Sequence, residues 1–162
     1  MISTDQISYG PGARLMAYPI SAPLNKKIHL KSILLVDDDR ATNFLNKRLL
    51  DKLGITDSIN IARNGVEAMD YLRRAMEGQR DFPAPDLILL DLNMPLVNGW
   101  EFLEHYASLP QNFRDSIKVL MLTTSLRQDD IERAAGSRVV KGFLHKPLTP
   151  QDVMRVLEEN FS

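Results

Sequence analysis

The chain of 162 residues has no cysteine, which removes disulfide frameworks, thiolate nucleophiles and zinc–thiolate centres from consideration. It also lacks any apolar stretch near the ~20 residues that a membrane-spanning helix requires. The nearest approach to a secretory leader, Leu15 to Leu24 behind Arg14, is interrupted by Pro19 and Pro23, so a cytoplasmic location is expected. Excess charge is missing as well. The formal net charge is −1, and nothing global points to nucleic acid or an anionic membrane as a partner. Internal repeats and low-complexity tracts are absent. What is present is a composition of 44% hydrophobic and 25% charged residues, suited to one compact domain that buries roughly two-thirds of its unfolded surface.

Charge is distributed unevenly. Residues 1–31 hold Arg14, Lys26, Lys27 and Lys31 against Asp5, a local +3 that leaves −4 for the remainder. This segment is rich in Ser, Gly and Pro and has neither a helical nor a strand period. It reads as an N-terminal extension, either flexible or packed through Ile7, Tyr9, Leu15, Met16 and Tyr18, with one domain expected over 32–162.

From Ser32 onward, short apolar runs alternate with helical patterns five times. Strands are expected at 32–37, 58–62, 86–90, 117–122 and 141–145. The first helix is expected near 41–53, with Phe44, Leu45, Leu49 and Leu53 inward and Gly54 as a left-handed cap. A second should open at Asn64-Gly65 and run to about Glu77, carrying Met69, Leu72 and Met76. A third should follow Gly99 with Phe102, Leu103 and Tyr106 on one face, and a polar fourth should cover 127–135. The last has Thr149 to cap it, Pro150 at its first position, Asp152 facing the free amides, and a stripe of Val153, Leu157 and Phe161. Gly78 to Pro85 reads as a loop. Five βα units cannot close a barrel of eight, so the expectation is an open parallel sheet with helices on both faces.

The ends of the apolar runs carry the chemistry. Ile33-Leu34-Leu35-Val36 stops at Asp37-Asp38-Asp39, and Leu87-Ile88-Leu89-Leu90 stops at Asp91. Val119-Leu120-Met121-Leu122 stops at Thr123, and Gly142-Phe143-Leu144-His145 stops at Lys146-Pro147. In a parallel sheet these ends share one edge, where ligands bind. Taken singly, an acidic triplet is a turn or helix cap, Thr123 a strand-end hydroxyl and Lys146 a solvated charge. Taken together they place carboxylates, a hydroxyl and an ammonium in one crevice. Crowded carboxylates repel, and an oxygen-only donor set of this kind suits Mg²⁺ at about 2.1 Å better than zinc. Beside such a cation, Asp91 could act as a nucleophile and form an acyl phosphate.

The ordered set Leu34-Leu35-Val36-Asp37-Asp38-Asp39, Asp91-Leu92-Asn93-Met94-Pro95 with Asn98-Gly99, Leu122-Thr123-Thr124 and Lys146-Pro147 resembles the receiver domain of two-component response regulators. The resemblance covers about 32–162. It implies a flavodoxin-like, doubly wound five-stranded parallel sheet of order 2-1-3-4-5 with five helices. It further implies that Asp91 is the phosphoacceptor, and that Asp38 directly and Asp37 through water bind Mg²⁺, with the backbone carbonyl of Asn93 completing the shell. Thr123 matches the switch hydroxyl, Phe143 the aromatic that rotates with it, and Lys146 the lysine that binds the phosphoryl oxygens. The Lys146–Pro147 peptide is similar to one that is usually cis. The implied partners are a histidine kinase or a histidine phosphotransfer protein. Output would run through phosphorylation-dependent protein contacts, including a homodimer across the face of the fourth helix, fifth strand and fifth helix.

Thr124 stands where Ala or Gly is commoner in the family, Phe143 lacks a hydroxyl, and Asn93 and Ser125 offer no strong acid beside the site. The stretches Gly78 to Pro85 and Leu109 to Asn112 resemble free-standing receivers of the phytochrome-partner type more than transcription factors. No output module follows the final helix, and the chain is expected to be a switch rather than an enzyme, catalysing only its own phosphorylation and dephosphorylation. Two other readings compete with it. A haloacid-dehalogenase-like phosphatase also uses an Asp nucleophile and Mg²⁺, but it wants a second acid where Asn93 stands. A receiver-like adaptor that never accepts phosphate would need none of the acceptor-site residues, all of which are present.

Overall fold

The computed structural model describes residues 27–124 and 127–162. The expectations for the leading segment up to residue 26, and for Ser125, lie outside the described residues. Five strands, β1 (Leu30–Val36), β2 (Thr56–Ala62), β3 (Leu87–Leu90), β4 (Lys118–Thr123) and β5 (Val140–His145), form one parallel sheet of order β2-β1-β3-β4-β5. Among the described residues six helices surround it: α1 (Arg40–Leu53), α2 (Gly65–Met76), α3 (Gly99–Tyr106), the single turn α4 (Gln111–Arg114), α5 (Gln128–Ala135) and α6 (Pro150–Phe161). The fold class, strand order and parallel pairing follow expectation.

The continuous apolar runs are explained by what lies on each side of the sheet. Successive strand residues point to opposite faces, so Ile33 and Leu35 of β1 join Leu87 and Leu89 under α1 and α6. Leu34 and Val36 join Ile88, Leu90, Phe102 and Tyr106 under α2 and α3. Each fully buried side chain of this size contributes about 1.5–3 kcal/mol of hydrophobic stabilisation. A polar substitution on any of these strands would bury an unpaired group on one face or the other.

Four expectations are corrected. The first strand begins at Leu30 and β2 at Thr56, because Leu30 pairs in register with Thr56 beyond the apolar core of each run. The inward face of α1 is Asn43, Asn46 and Leu50, whereas Phe44 and Leu45 are each 61% exposed and Leu49 and Leu53 sit at its flank. The phase is set by Asp39, whose carboxylate caps the helix through the amide of Thr42 and fixes which residues turn inward. Met76, expected at helical spacing with Met69 and Leu72, is exposed at the end of α2, while those two are buried. Finally, six helices rather than five lie among the described residues. Pro110 opens the extra turn, and Arg114 Nε donates to the Leu109 carbonyl at 2.8 Å to hold it.

The remaining caps are as the sequence indicates. Gly54 closes α1 at φ 63°, and Thr149 and Asp152 form a reciprocal capping box on α6 with Pro150 at its start. No helix among the described residues is long and apolar enough to cross a membrane.

Candidate functional site

The site is built by extending the sheet ladder one residue past the strand ends. The Asp37 amide donates to the Ala62 carbonyl at 3.0 Å, and the Asp91 amide to the Val36 carbonyl at 2.9 Å. The Lys146 amide donates to the Thr123 carbonyl at 2.9 Å. The first residue after β1, β3 and β5 is thus fixed as firmly as the strand before it. Gly99 brings the start of α3 against the same edge: its amide donates to the Leu92 carbonyl at 2.9 Å, and a Cβ there would stand 2.7 Å from the Asp91 carbonyl oxygen. The Lys146–Pro147 peptide is cis, as the resemblance implied.

Carboxylate oxygens of Asp37, Asp38 and Asp91 lie within 4.8 Å of one another, with Asp37 and Asp91 buried and Asp38 exposed. Lys146 Nζ reaches between two of them, 2.6 Å from Asp37 Oδ2 and 3.3 Å from Asp91 Oδ1. Burial pushes the Asp91 carboxyl above its ordinary range and the Asp37 charge adds to this, while Lys146 and the Asn93 amide oppose them. The Lys146 ammonium is held above its ordinary value. Its burial acts the other way and is outweighed by the hydrogen bond to Asp37 and the charges of Asp37 and Asp91.

One ammonium cannot balance three carboxylates. The donor set is all oxygen and keeps an exposed member in Asp38, so the residues present fit a hard divalent cation such as Mg²⁺. Asp37, Asp38 and Asp91 are the residues that would hold it.

The other expected residues fall as follows. Thr123 is fully buried at the end of β4. Phe143, on the adjacent β5, pairs in register with Met121 and is half-buried against the α2–α3 side of the core. Thr124 is exposed at the rim. Asp39, third of the acidic triplet, turns away to cap α1, and its hydrogen bonds from Thr42 hold its carboxyl below the ordinary range. Two features escaped the sequence reading. Asn43 is buried beneath the acidic loop and donates through Nδ2 to the Asp37 carbonyl at 2.7 Å. Trp100 of α3 donates from Nε1 to Asp130 of α5 at 3.1 Å, with the Arg133 guanidinium 4.4 Å from the centre of its ring. An amide at an inward helix position carries no apolar signal, and a contact between helices has none in the sequence.

Residues 33–158 match the family model described as the response regulator receiver domain. The chain belongs to this family. The probable methanogenesis regulatory protein FilR2 of Methanothrix harundinacea is 40% identical over 127 residues, 78% of this chain and 79% of that protein. A two-component response regulator from Cytophaga hutchinsonii superposes with a TM-score of 0.74 at 29% identity, covering 81% of this chain and 96% of that one. The bacteriophytochrome response regulator AtBRR gives 0.66 at 30% identity over 82% and 93%. Receiver domains bind Mg²⁺ through an acidic pocket of the kind formed by Asp37, Asp38 and Asp91, and they interact with histidine kinases or phosphotransfer proteins.

Proposed function

We propose that this receiver accepts a phosphoryl group on Asp91 from a phosphohistidine of a kinase or phosphotransfer protein and signals by changing a surface that another protein reads. The observation that carries the reading is the placement of one buried carboxylate, Asp91, between two further acids and an ammonium at the C-terminal edge of the sheet. An Asp91 oxygen attacks phosphorus, the P–N bond of the donor breaks, and its electron pair returns to the imidazole. Mg²⁺ held by Asp37, Asp38, Asp91 and the Asn93 carbonyl would supply positive charge to the transferring oxygens. Lys146, already 3.3 Å from Asp91 Oδ1, exchanges that contact for a phosphoryl oxygen once Asp91 is esterified. The Thr123 hydroxyl turns to the same group and Phe143 follows it inward, which remodels the face of α5, β5 and α6. A protein target or a second copy of the chain docks on that face.

In this reading the chain is a switch and turns over no substrate other than its own phosphoryl group. Its setting is the cytoplasm, where kinase and target meet. The test is incubation with acetyl phosphate and Mg²⁺, followed by intact-mass and acid-lability measurements. Wild-type protein is expected to gain one acid-labile phosphoryl group and Asp91→Asn none. A full-length protein that stays unmodified with both acetyl phosphate and phosphorylated kinase would instead be an adaptor.

A further inference from the structure

Asn43 faces the sheet from the first turn of α1 and is 4% exposed. Its Nδ2 donates to the backbone oxygen of Asp37. Its Oδ1 is buried and receives no hydrogen bond among the described residues. The opposite amide orientation would set two carbonyl oxygens against each other, so the donor end must point at Asp37. A buried acceptor without a partner costs stability, and leucine at the same position would move that cost to the Asp37 oxygen rather than remove it. What the amide supplies and leucine cannot is the donor end, bonded to the Asp37 oxygen.

The oxygen that Asn43 grips belongs to the peptide plane joining Asp37 to Asp38. That plane is rigid and contains the nitrogen and Cα of Asp38, so holding the oxygen helps fix the Cα from which the Asp38 side chain departs. The other contacts of the loop act on neighbouring planes or on side chains. The Asp37 amide, bonded to Ala62, lies in the preceding plane. The Asp39 amide, which donates to Asp37 Oδ1 at 2.9 Å, lies in the following one. Lys146 grips the Asp37 carboxylate itself. The Asn43 bond acts directly on the plane between the two acids. Asp38 is exposed, and its approach to a cation depends on the backbone beneath it.

We infer that Asn43 is a positioning residue for the cation site, holding the 37–38 peptide so that Asp38 and Asp37 present their carboxylates together. The inference rests on the reading of Asp37, Asp38 and Asp91 as a Mg²⁺ site. Asn43→Leu removes the donor and the unpartnered acceptor at once, leaving the Asp37 oxygen in place of Asn43 Oδ1 as the unpaired atom. The urea midpoint of the full chain is therefore expected near that of the wild type. Mg²⁺ affinity by titration calorimetry is expected to fall about 10-fold, the lower end of what contacts behind metal ligands contribute. Phosphate uptake from acetyl phosphate should slow at limiting Mg²⁺ and recover at saturating Mg²⁺, a split that general damage to the fold would not give. Wild-type Mg²⁺ affinity in a folded Asn43→Leu protein overturns the inference. Should that variant not fold cooperatively, Asn43→Ser, too short to reach the Asp37 oxygen, takes its place in the same titrations. If neither folds, Asn43 is a structural residue and the inference fails. Absence of Mg²⁺ binding by the wild-type chain overturns the underlying metal reading instead, before any variant is compared.

Discussion

Lys146 and Asp91 are neighbours across the sheet edge, with Nζ 3.3 Å from Oδ1, and each raises or lowers the charge the other can carry. The pair is not isolated. Asp37 lies closer to the same ammonium, at 2.6 Å, and repels Asp91. The site is therefore an acid-rich cluster in which the lysine relieves part of a strain and a cation would relieve the rest.

The first consequence concerns pH. Burial and Asp37 raise the Asp91 pKa in the folded chain above the ordinary 3.8, so the folded state binds that proton more tightly than the unfolded state does. Stability contributed by the protonated form is lost as pH rises through the interval above 3.8, and at neutral pH the ionised carboxylate opposes folding. Asp91→Asn should then be more stable than the wild type at pH 7, because the neutral amide has no charge to desolvate beside Asp37. The gain should shrink as the pH falls toward 4. Urea midpoints at pH 7 and pH 4.5 without divalent cation would measure it, and an equal difference at both values would contradict the assigned cause.

Removing the ammonium should act in the opposite direction. Lys146→Ala leaves Asp37 and Asp91 facing each other without compensation, at a loss of about 3 kcal/mol, the lower end of the range for breaking a buried pair. Added Mg²⁺ should restore more stability to this variant than to the wild type, because metal affinity stays intact or tightens when a competing cation leaves. Melting temperatures titrated with Mg²⁺ would show the larger rise in Lys146→Ala. The response to phosphorylation should be lost even where uptake persists. In the wild type the Lys146 contribution is complete below about pH 10.5 and disappears as the pH climbs through the raised value of the folded state.

Gly99 is a packing requirement rather than a conformational one. A methyl group there would meet the Asp91 carbonyl oxygen at 2.7 Å and the Leu92 Cα at 2.9 Å, both backbone atoms that cannot step aside cheaply. Gly99→Ala should destabilise the fold by about 1–3 kcal/mol, as overpacking does. It should also slow phosphate uptake by moving the acceptor itself. Uptake at the wild-type rate in this variant would mean that the Asp91 backbone is not held by the start of α3.

Much of this was legible because the chemistry sits where the hydrophobic pattern breaks. Asp37, Asp91, Thr123 and Lys146 are read from the ends of apolar runs, and the sheet ladder then places them together with no further assumption. The pattern misled where inward positions are polar. Phe44 and Leu45 look like the buried stripe of α1, but Asn43 and Asn46 hold that place, Asn43 with its donor end bonded to the backbone. The turn α4 has no apolar stripe at all and is stabilised by Pro110 and an arginine-to-carbonyl bond. The Trp100–Asp130 bond joins residues thirty positions apart and has no local signature.

That bond gives the last prediction its reporter. The polar helix α5 buries only Ala134 fully and has no side-chain cap at its start, so it belongs to the weakly held part of the fold. Its ties to α3 are the Trp100 donor on Asp130, the Arg133 guanidinium over the Trp100 ring, and a 3.7 Å pair between Arg133 and Glu104. Exposed pairs of this sort are each worth about 1 kcal/mol or less, which suits an element with two arrangements of similar energy. If Thr123 and Phe143 move on phosphorylation, α5 should shift and the indole should lose its partner, so that Trp100 emission changes on addition of beryllofluoride with Mg²⁺. Amide exchange should change around 127–161 more than around 41–77. Phe143→Ala should take up phosphate nearly normally yet show no change in Trp100 emission, because the hydroxyl moves without the aromatic that carries the shift to β5 and α5. Protection changes confined to 41–77, with Trp100 silent in the wild type, would place the output on α1 and α2 and remove the proposed docking face of α5, β5 and α6.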